Sequence, residues 1–211
     1  MTIAIGVAGQ KRYGKDVLCD RLCPQIQEKH QWKRDAFANK VKEIFCETFN
    51  VTREFVEKWK VVDEIPPGFD MSVRDGLKFI GDGFRQIKGD IWIEILFRDD
   101  LYKVISDVRY VNEFVKIKKE KGFNILIGRP DKLNDDPSGS EAQIRPYVVW
   151  CLENLPKEKK IVDLRNFNYD GYPSPPPYMD LFDIFIRNDQ GLLELYDLID
   201  NQITPIIKES Y

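Results

Sequence analysis

A chain of 211 residues with 43% apolar and 32% charged side chains can bury one sizeable core. Its net charge of −3 argues against nucleic acid as a partner, since that binding draws on a basic face, although a local basic pocket stays open. No stretch reaches the roughly 18 apolar residues that cross a bilayer, so no membrane partner is expected. The opening run Thr2-Ile-Ala-Ile-Gly-Val-Ala8 is short, apolar and without a basic flank. It reads as a strand buried on both faces and not as a signal peptide. The four cysteines, Cys19, Cys23, Cys46 and Cys151, and the single His30 make a poor zinc set. They suit reduced thiols in a cytoplasmic protein.

After a glycine-bounded loop, a helical pattern runs through Val17, Leu18, Leu22 and Ile26. A second helix over 38–49 places Val41, Ile44, Phe45 and Phe49 on one face, and Thr52 caps a third. Residues 72–88 are the most regular segment. Val73, Leu77, Ile80, Phe84 and Ile87 form a core face. Beside it runs a stripe of Arg74, Lys78, Gly81, Arg85 and Lys88, which is either a solvated basic face or an anion pocket with Gly81 admitting a ligand to the backbone. A helix carrying Trp92 follows. Then come a strand ending at Asp107, a helix from Tyr110 to Lys121 closed by Gly122 at C′, and a strand over 123–128. A last strand covers 181–186, and a final helix carries Leu192, Leu195, Leu198, Ile199, Ile203 and Ile206. Strands alternating with helices predict a parallel α/β sheet. Residues 130–180 break that rhythm and hold eight of the twelve prolines, as expected of a stiff loop or a docking motif.

Gly9-Gln-Lys-Arg-Tyr-Gly14-Lys15 fits G-x-x-x-x-G-K between a strand and a helix. Gly9 and Gly14 let the backbone fold around an anion, and the following helix presents its positive end to it. Lys15 can reach the outer phosphates of a nucleoside triphosphate. Lys11 and Arg12 add charge to the loop or are simply solvated. Asp16 stands where a serine or threonine usually ligates Mg²⁺. It either takes that role, directly or through water, or caps the helix start.

The loop "GQKRYGKD", the segments "AFANKVKEIF" and "VRDGLKFIGDGFRQIKGDIW", the strand end "VISDVRYVNE" and the tail "DIFIRNDQGLLEL" occur in that order. Together they resemble the deoxynucleoside monophosphate kinases of bacteriophages, over residues 1–130 and 181–200. The resemblance implies a P-loop NTPase-type parallel sheet flanked by helices. A single kinase domain would have its core at about 1–35, 100–130 and 181–211, acceptor-binding helices at about 36–99 and a lid at about 130–180. It implies transfer of the γ-phosphoryl group of ATP to a deoxynucleoside monophosphate with Mg²⁺, in the cytoplasm of an infected bacterial host. Gly9, Lys11, Gly14, Lys15 and Asp16 would hold phosphates and metal. Arg74 would bind the acceptor phosphate, with Gly81 lining its path and Trp92 near the acceptor. Asp107, Arg109 and Glu113 would line the acceptor site. The chain continues Gly-Lys-Asp-Val17 where that family often has a threonine, and "SGSEAQIRP" at 138–146 is similar to its Ser-Glu element.

Phosphoryl transfer asks for alignment and positive charge. Arg74, Arg85 and Arg109 are candidates for clamping an acceptor phosphate, because guanidinium forks match phosphate oxygens. Asp107, at a strand's carboxyl end, could orient the acceptor or hold Mg²⁺ through water, or cap the next helix. Arg109 and Glu113 are spaced to pair on a helix surface. Trp92 either stacks on a base or fills a core. Arg129 and Arg145 could close over the transferring phosphate. Two other readings stand beside the kinase: a dephospho-coenzyme A kinase-like enzyme, and a non-catalytic nucleotide-binding module docking a partner through the aromatic 146–180 segment. A homodimer stays open.

Overall fold

The computed structural model describes residues 2–62, 64–99, 101–133 and 139–211. The chain divides into two compact units, residues 1–35 with 99–211 and residues 36–98.

The first unit is built on a six-stranded sheet. Its strands are β1 (Ile3–Ala8), β2 (Trp32–Asp35), β3 (Tyr102–Ile105), β4 (Phe123–Gly128), β5 (Ile161–Asp163) and β6 (Ile184–Arg187). The order is β2-β3-β1-β4-β6-β5, with only β5 antiparallel, at the edge. This is the α/β, mostly parallel sheet expected of a P-loop-type fold. The central strands are buried on both faces, so they read as continuous apolar runs: Ala4, Ile5, Val7 and Ala8 are all fully buried.

One face of the sheet carries α6 (Val111–Lys119) and α7 (Arg145–Asn154). Asn124 Nδ2 of β4 donates to the Phe114 carbonyl of α6 at 3.2 Å, and Gly128 lies against Val148 of α7. The other face carries α1 (Lys15–Gln25) and a C-terminal helical run. That run is α8 (Leu192–Leu198), a π turn (Ile199–Ile203) and α9 (Thr204–Ser210). The uninterrupted final helix expected from the leucine pattern is therefore modified. Pro205 lacks an amide hydrogen, and a π turn just before it absorbs the misfit.

Helix α6 ends differently from expectation. Lys121, not Gly122, takes the left-handed position, with φ 58°. Gly122 follows it and donates to Ile117 O at 2.8 Å, while Lys121 N donates to Lys118 O at 3.0 Å. Gly122 is needed for space, since a Cβ there would lie 2.3 Å from Ala4 O.

Residues 130–180 are not a plain loop. They supply α7 and β5, two elements that the sequence reading lacks, as it also lacks β2 at Trp32–Asp35. Helix α7 is apolar on most sides, with Tyr147, Val148, Trp150, Cys151 and Leu152 buried. It therefore shows no one-sided stripe to read. The proposed docking aromatics fold inward in part: Trp150 is buried and donates to Pro173 O at 3.2 Å, while Tyr178 is exposed. Residues 134–138, including Ser138 at the start of the 138–146 segment, lie outside the described residues, whereas its Ser140-Glu141 pair lies within them.

The second unit is helical: α2 (Phe37–Phe49), α3 (Arg53–Val62), α4 (Val73–Ile87) and α5 (Ile91–Leu96). Phe45, Val56 and Val73 form its buried centre, with Phe55, Trp59, Phe69, Leu77 and Ile80 packed around them. Thr52 Oγ1 accepts the Phe55 N–H at the start of α3, and Ser72 Oγ accepts the Asp75 N–H at the start of α4. The expected core face of α4 runs past that centre. Val73 is buried, but Ile87 is 84% exposed.

Candidate functional site

β1 sits between β3 and β4. The chain leaves β1 towards β2 on one side and leaves β4 towards β5 on the other, so the carboxyl ends of β1 and β4 flank a topological switch point. Open α/β sheets bind ligands there. The glycine loop, residues 9–14, occupies this place.

Both loop glycines are dictated by their surroundings. A Cβ on Gly9 would lie 2.6 Å from the carbonyl oxygen of Ile127 in β4. Gly14 has φ 97°, a left-handed conformation, and a Cβ there would meet Asn188 Nδ2 at 2.8 Å. Arg12 also has positive φ, at 65°. The loop thus folds back tightly onto the head of α1.

Lys15 is the first residue of α1 and is buried, with Nζ donating to Gln10 O at 2.6 Å. Burial lowers its pKa below the ordinary lysine value, and Arg109 pushes the same way. The nearby carboxylates of Glu141 and Asp16 act in the opposite direction.

Asp16 is exposed and forms an ion pair with Arg34 of β2, which also pairs with Asp20. It stands inside the first helical turn; the cap position is Gly14, so the capping alternative for Asp16 falls. Among the described residues, no group of three or more His, Cys, Asp or Glu side chains could hold a metal ion. Mg²⁺ sites can be built on one or two carboxylates together with substrate phosphates. The donor set suits that arrangement, with Asp16 as the carboxylate at hand.

At the carboxyl end of β3, Asp107 is half-buried. It does not begin the next helix, whose cap is Tyr110. Glu113 reaches back instead, accepting the backbone N–H groups of Arg109 at 2.7 Å and Tyr110 at 3.1 Å. The expected side-chain pair between Arg109 and Glu113 is thus corrected: Glu113 meets the Arg109 amide. The guanidinium turns to the 3₁₀ turn Gly139–Gln143, with Nη1 2.7 Å from Ser140 Oγ and Nη2 3.3 Å from Glu141 Oε1. Glu141 Oε2 accepts the Lys11 backbone N–H at 3.1 Å. A carboxylate thus already sits on a loop amide, as an anion would.

A cavity of about 270 Å³ opens beside the loop, lined by Arg12, Lys15, Arg129, Asn188, Gly191 and Leu192 among others. Arg129 Nη1 reaches Arg12 O at 3.5 Å, and its remaining donors engage Asp131 at 2.9 and 3.0 Å. Asn188 Nδ2 holds Tyr13 O at 3.0 Å, which ties the loop to the end of β6. Arg145 is the first residue of α7 and is half-buried.

The remaining candidates belong to the helical unit. Arg74 Nη2 donates to Lys60 O at 3.1 Å. Lys78 pairs with Asp75 at 3.1 Å, Arg85 with Asp82 at 3.4 Å and Lys88 with Glu94 at 2.6 Å, so much of the basic stripe faces its own carboxylates. Trp92 is buried and donates Nε1–H to Gly81 O at 2.9 Å, the core role of the two that the sequence allows.

Sequence reasoning named neither Asn188 nor Arg34, gave Leu192 only as a residue of the final helix, and touched Glu141 only within the Ser-Glu element. "SGSEAQIRP" and "RNDQGLLEL" contain three of them, but a lone acid in a loop or an asparagine after a strand has no periodic signature. Their roles arise from long-range approach, such as the 130 residues between Lys11 and Glu141.

No family model matches the chain, and no curated protein matches it. Among solved structures, a candidate kinase from Chloroflexus aurantiacus aligns with 100% of this chain and 98% of its own, at 10% identity and a TM-score of 0.38. That level of similarity says nothing about chemistry.

Proposed function

We propose that this chain is a nucleotide kinase that transfers the γ-phosphoryl group of ATP to a deoxynucleoside monophosphate. The observation that carries the reading is the loop itself: two sterically required glycines, a buried Lys15 at a helix start and an acid already seated on the Lys11 amide. Backbone amides, a helix N-terminus and a lysine are what a polyphosphate needs. The adjoining cavity is lined by cationic Arg12 and Arg129 and by apolar Leu192 and Leu195, a mixture that suits phosphates joined to a flat base.

In this reading Gly9, Lys11, Gly14 and Lys15 hold the donor phosphates, and Arg129 and Arg145 shield them. Asp16 would hold Mg²⁺, which would offset the charge of the donor phosphates. Arg74 and Arg85 are the proposed acceptor arginines of the helical unit. Gly81 is buried and its carbonyl accepts the Trp92 Nε1–H, so in this reading it lines the acceptor path only as close packing beneath these arginines. Asp107, Arg109 and Glu113 serve the acceptor from the end of β3, Glu113 by holding the Arg109 amide in place. Arg109 is the proposed catalytic arginine, because its forked donors suit an equatorial phosphate oxygen. The choice of a deoxynucleotide rests on the ordered segments that resemble the phage kinases.

The test is a panel of dAMP, dGMP, dCMP and dTMP with ATP and Mg²⁺, read as ADP release. At least one acceptor should be phosphorylated. No ADP release above the acceptor-free rate across the panel would reject the reading.

A further inference from the structure

The anion position of the loop is held by the protein's own carboxylate. Glu141 Oε2 accepts from the Lys11 amide at 3.1 Å, and Oε1 faces Arg109 Nη2 at 3.3 Å. Ser140 Oγ takes the other terminal nitrogen of Arg109 at 2.7 Å. Glu141 is buried, and burying a carboxylate is costly unless charged partners and hydrogen bonds compensate it. Its partners Lys11 and Arg109 are both groups that a phosphate would use. The Nε of Arg109 is buried without a hydrogen-bond partner, so the guanidinium is not fully satisfied by this turn.

We infer that Glu141 is an exchangeable occupant of the phosphate cradle, and that an entering polyphosphate displaces it and so releases Arg109 for the transferring group. This rests on the kinase reading above. Two consequences follow from charge alone. A ligand must outcompete a carboxylate that is already in place, so a polyphosphate gains over a singly charged anion. Donor binding and liberation of Arg109 also become one event, which keeps the arginine occupied until a donor is present. The cost is affinity, because the protein binds donor only in the fraction of molecules whose cradle is open.

The test is calorimetric binding of inorganic pyrophosphate and of ATP to the wild type, Glu141→Gln and Glu141→Ala, with thermal unfolding followed in parallel. If the closed form is about nine-tenths populated, both variants should bind pyrophosphate about tenfold more tightly. That gain should shrink in the Arg109→Ala background, since part of it is Arg109 set free. A purely structural role for Glu141 would not tighten binding. Unchanged or weaker binding in both folded variants overturns the inference. If both variants unfold, Ser140→Ala decides, because it removes one Arg109 bond and should tighten binding by a smaller factor; no tightening overturns the inference. ATP binding by the wild type with unaltered variants rejects this inference alone, whereas a folded wild type that binds neither probe rejects the kinase reading as well.

Discussion

Lys15 shows how one residue can be poorly placed for stability and well placed for a ligand. Its ammonium is buried against Gln10 O, and desolvation lowers its pKa from the lysine value of 10.5. The folded chain therefore holds this proton less tightly than the unfolded chain does. The sign is that of a cost: charging Lys15 works against folding below its lowered pKa. Stability contributed at this position rises as pH climbs through the lowered value towards 10.5. Lys15→Met removes the charge and keeps the length. Its unfolding temperature at neutral pH should be no lower than that of the wild type, while turnover falls at least about a hundredfold because the charge that stabilises the transferring phosphoryl group is gone. Unfolding monitored by circular dichroism, beside the ADP-release assay, checks both halves. Turnover near wild type would remove Lys15 from the proposed mechanism. Asp16, by contrast, looks ordinary until the fold is known. Arg34 comes from β2, a strand that the sequence reading lacks, and it engages Asp16 and Asp20 together.

At the scale of elements, capping and periodicity explain most boundaries. Helix α4 begins where Ser72 Oγ accepts the Asp75 amide at 3.1 Å and its own hydroxyl donates to Asp75 Oδ2 at 2.9 Å. Ser72→Ala should destabilise the protein by about 1 kcal/mol. Urea unfolding measures this, and a loss below about 0.3 kcal/mol would mean the cap is redundant. The strands were readable because parallel strands covered on both faces are apolar throughout, as in "FNILIG". The two short edge strands were not readable. β2 is Trp-Lys-Arg-Asp and β5 is Ile-Val-Asp, three or four residues in which neither an apolar run nor an alternation can register. Helix α7 failed for the opposite reason, being too apolar on all sides to show a face.

At the scale of the chain, the sheet unit is interrupted in sequence by the helical unit, since it leaves at residue 35 and resumes at residue 99. The candidate residues are divided accordingly. The loop, Asp107, Arg109, Glu113, Arg129 and Arg145 belong to the first unit, and Arg74, Gly81, Arg85 and Trp92 to the second. The segment after β4 is part of the first unit's core. Trp150 packs with its ring centroid 5.6 Å from that of Tyr169 and donates to Pro173 O, so this stretch is tied to a helix of its own chain. Trp150→Ala should lower stability by about 3–5 kcal/mol, as expected for emptying a buried aromatic site. A loss under about 1 kcal/mol in chemical denaturation would return this segment to the status of a detachable loop.

The sequence by itself determined the α/β class, the central strands, the principal helices and the place of the glycine loop between β1 and α1. These are local matters: apolar runs, helical spacing, caps and glycine positions are carried by neighbouring residues. Tertiary structure alone decided that Glu113 caps a helix through the Tyr110 amide while also holding the Arg109 amide, that Arg34 holds Asp16, and that Glu141 lies on the Lys11 amide. It also decided that β1 lies between β3 and β4, which puts the loop at a switch point. Such facts depend on groups brought together from distant parts of the chain, and an isolated Glu, Arg or Asn carries no mark of the partner it will meet.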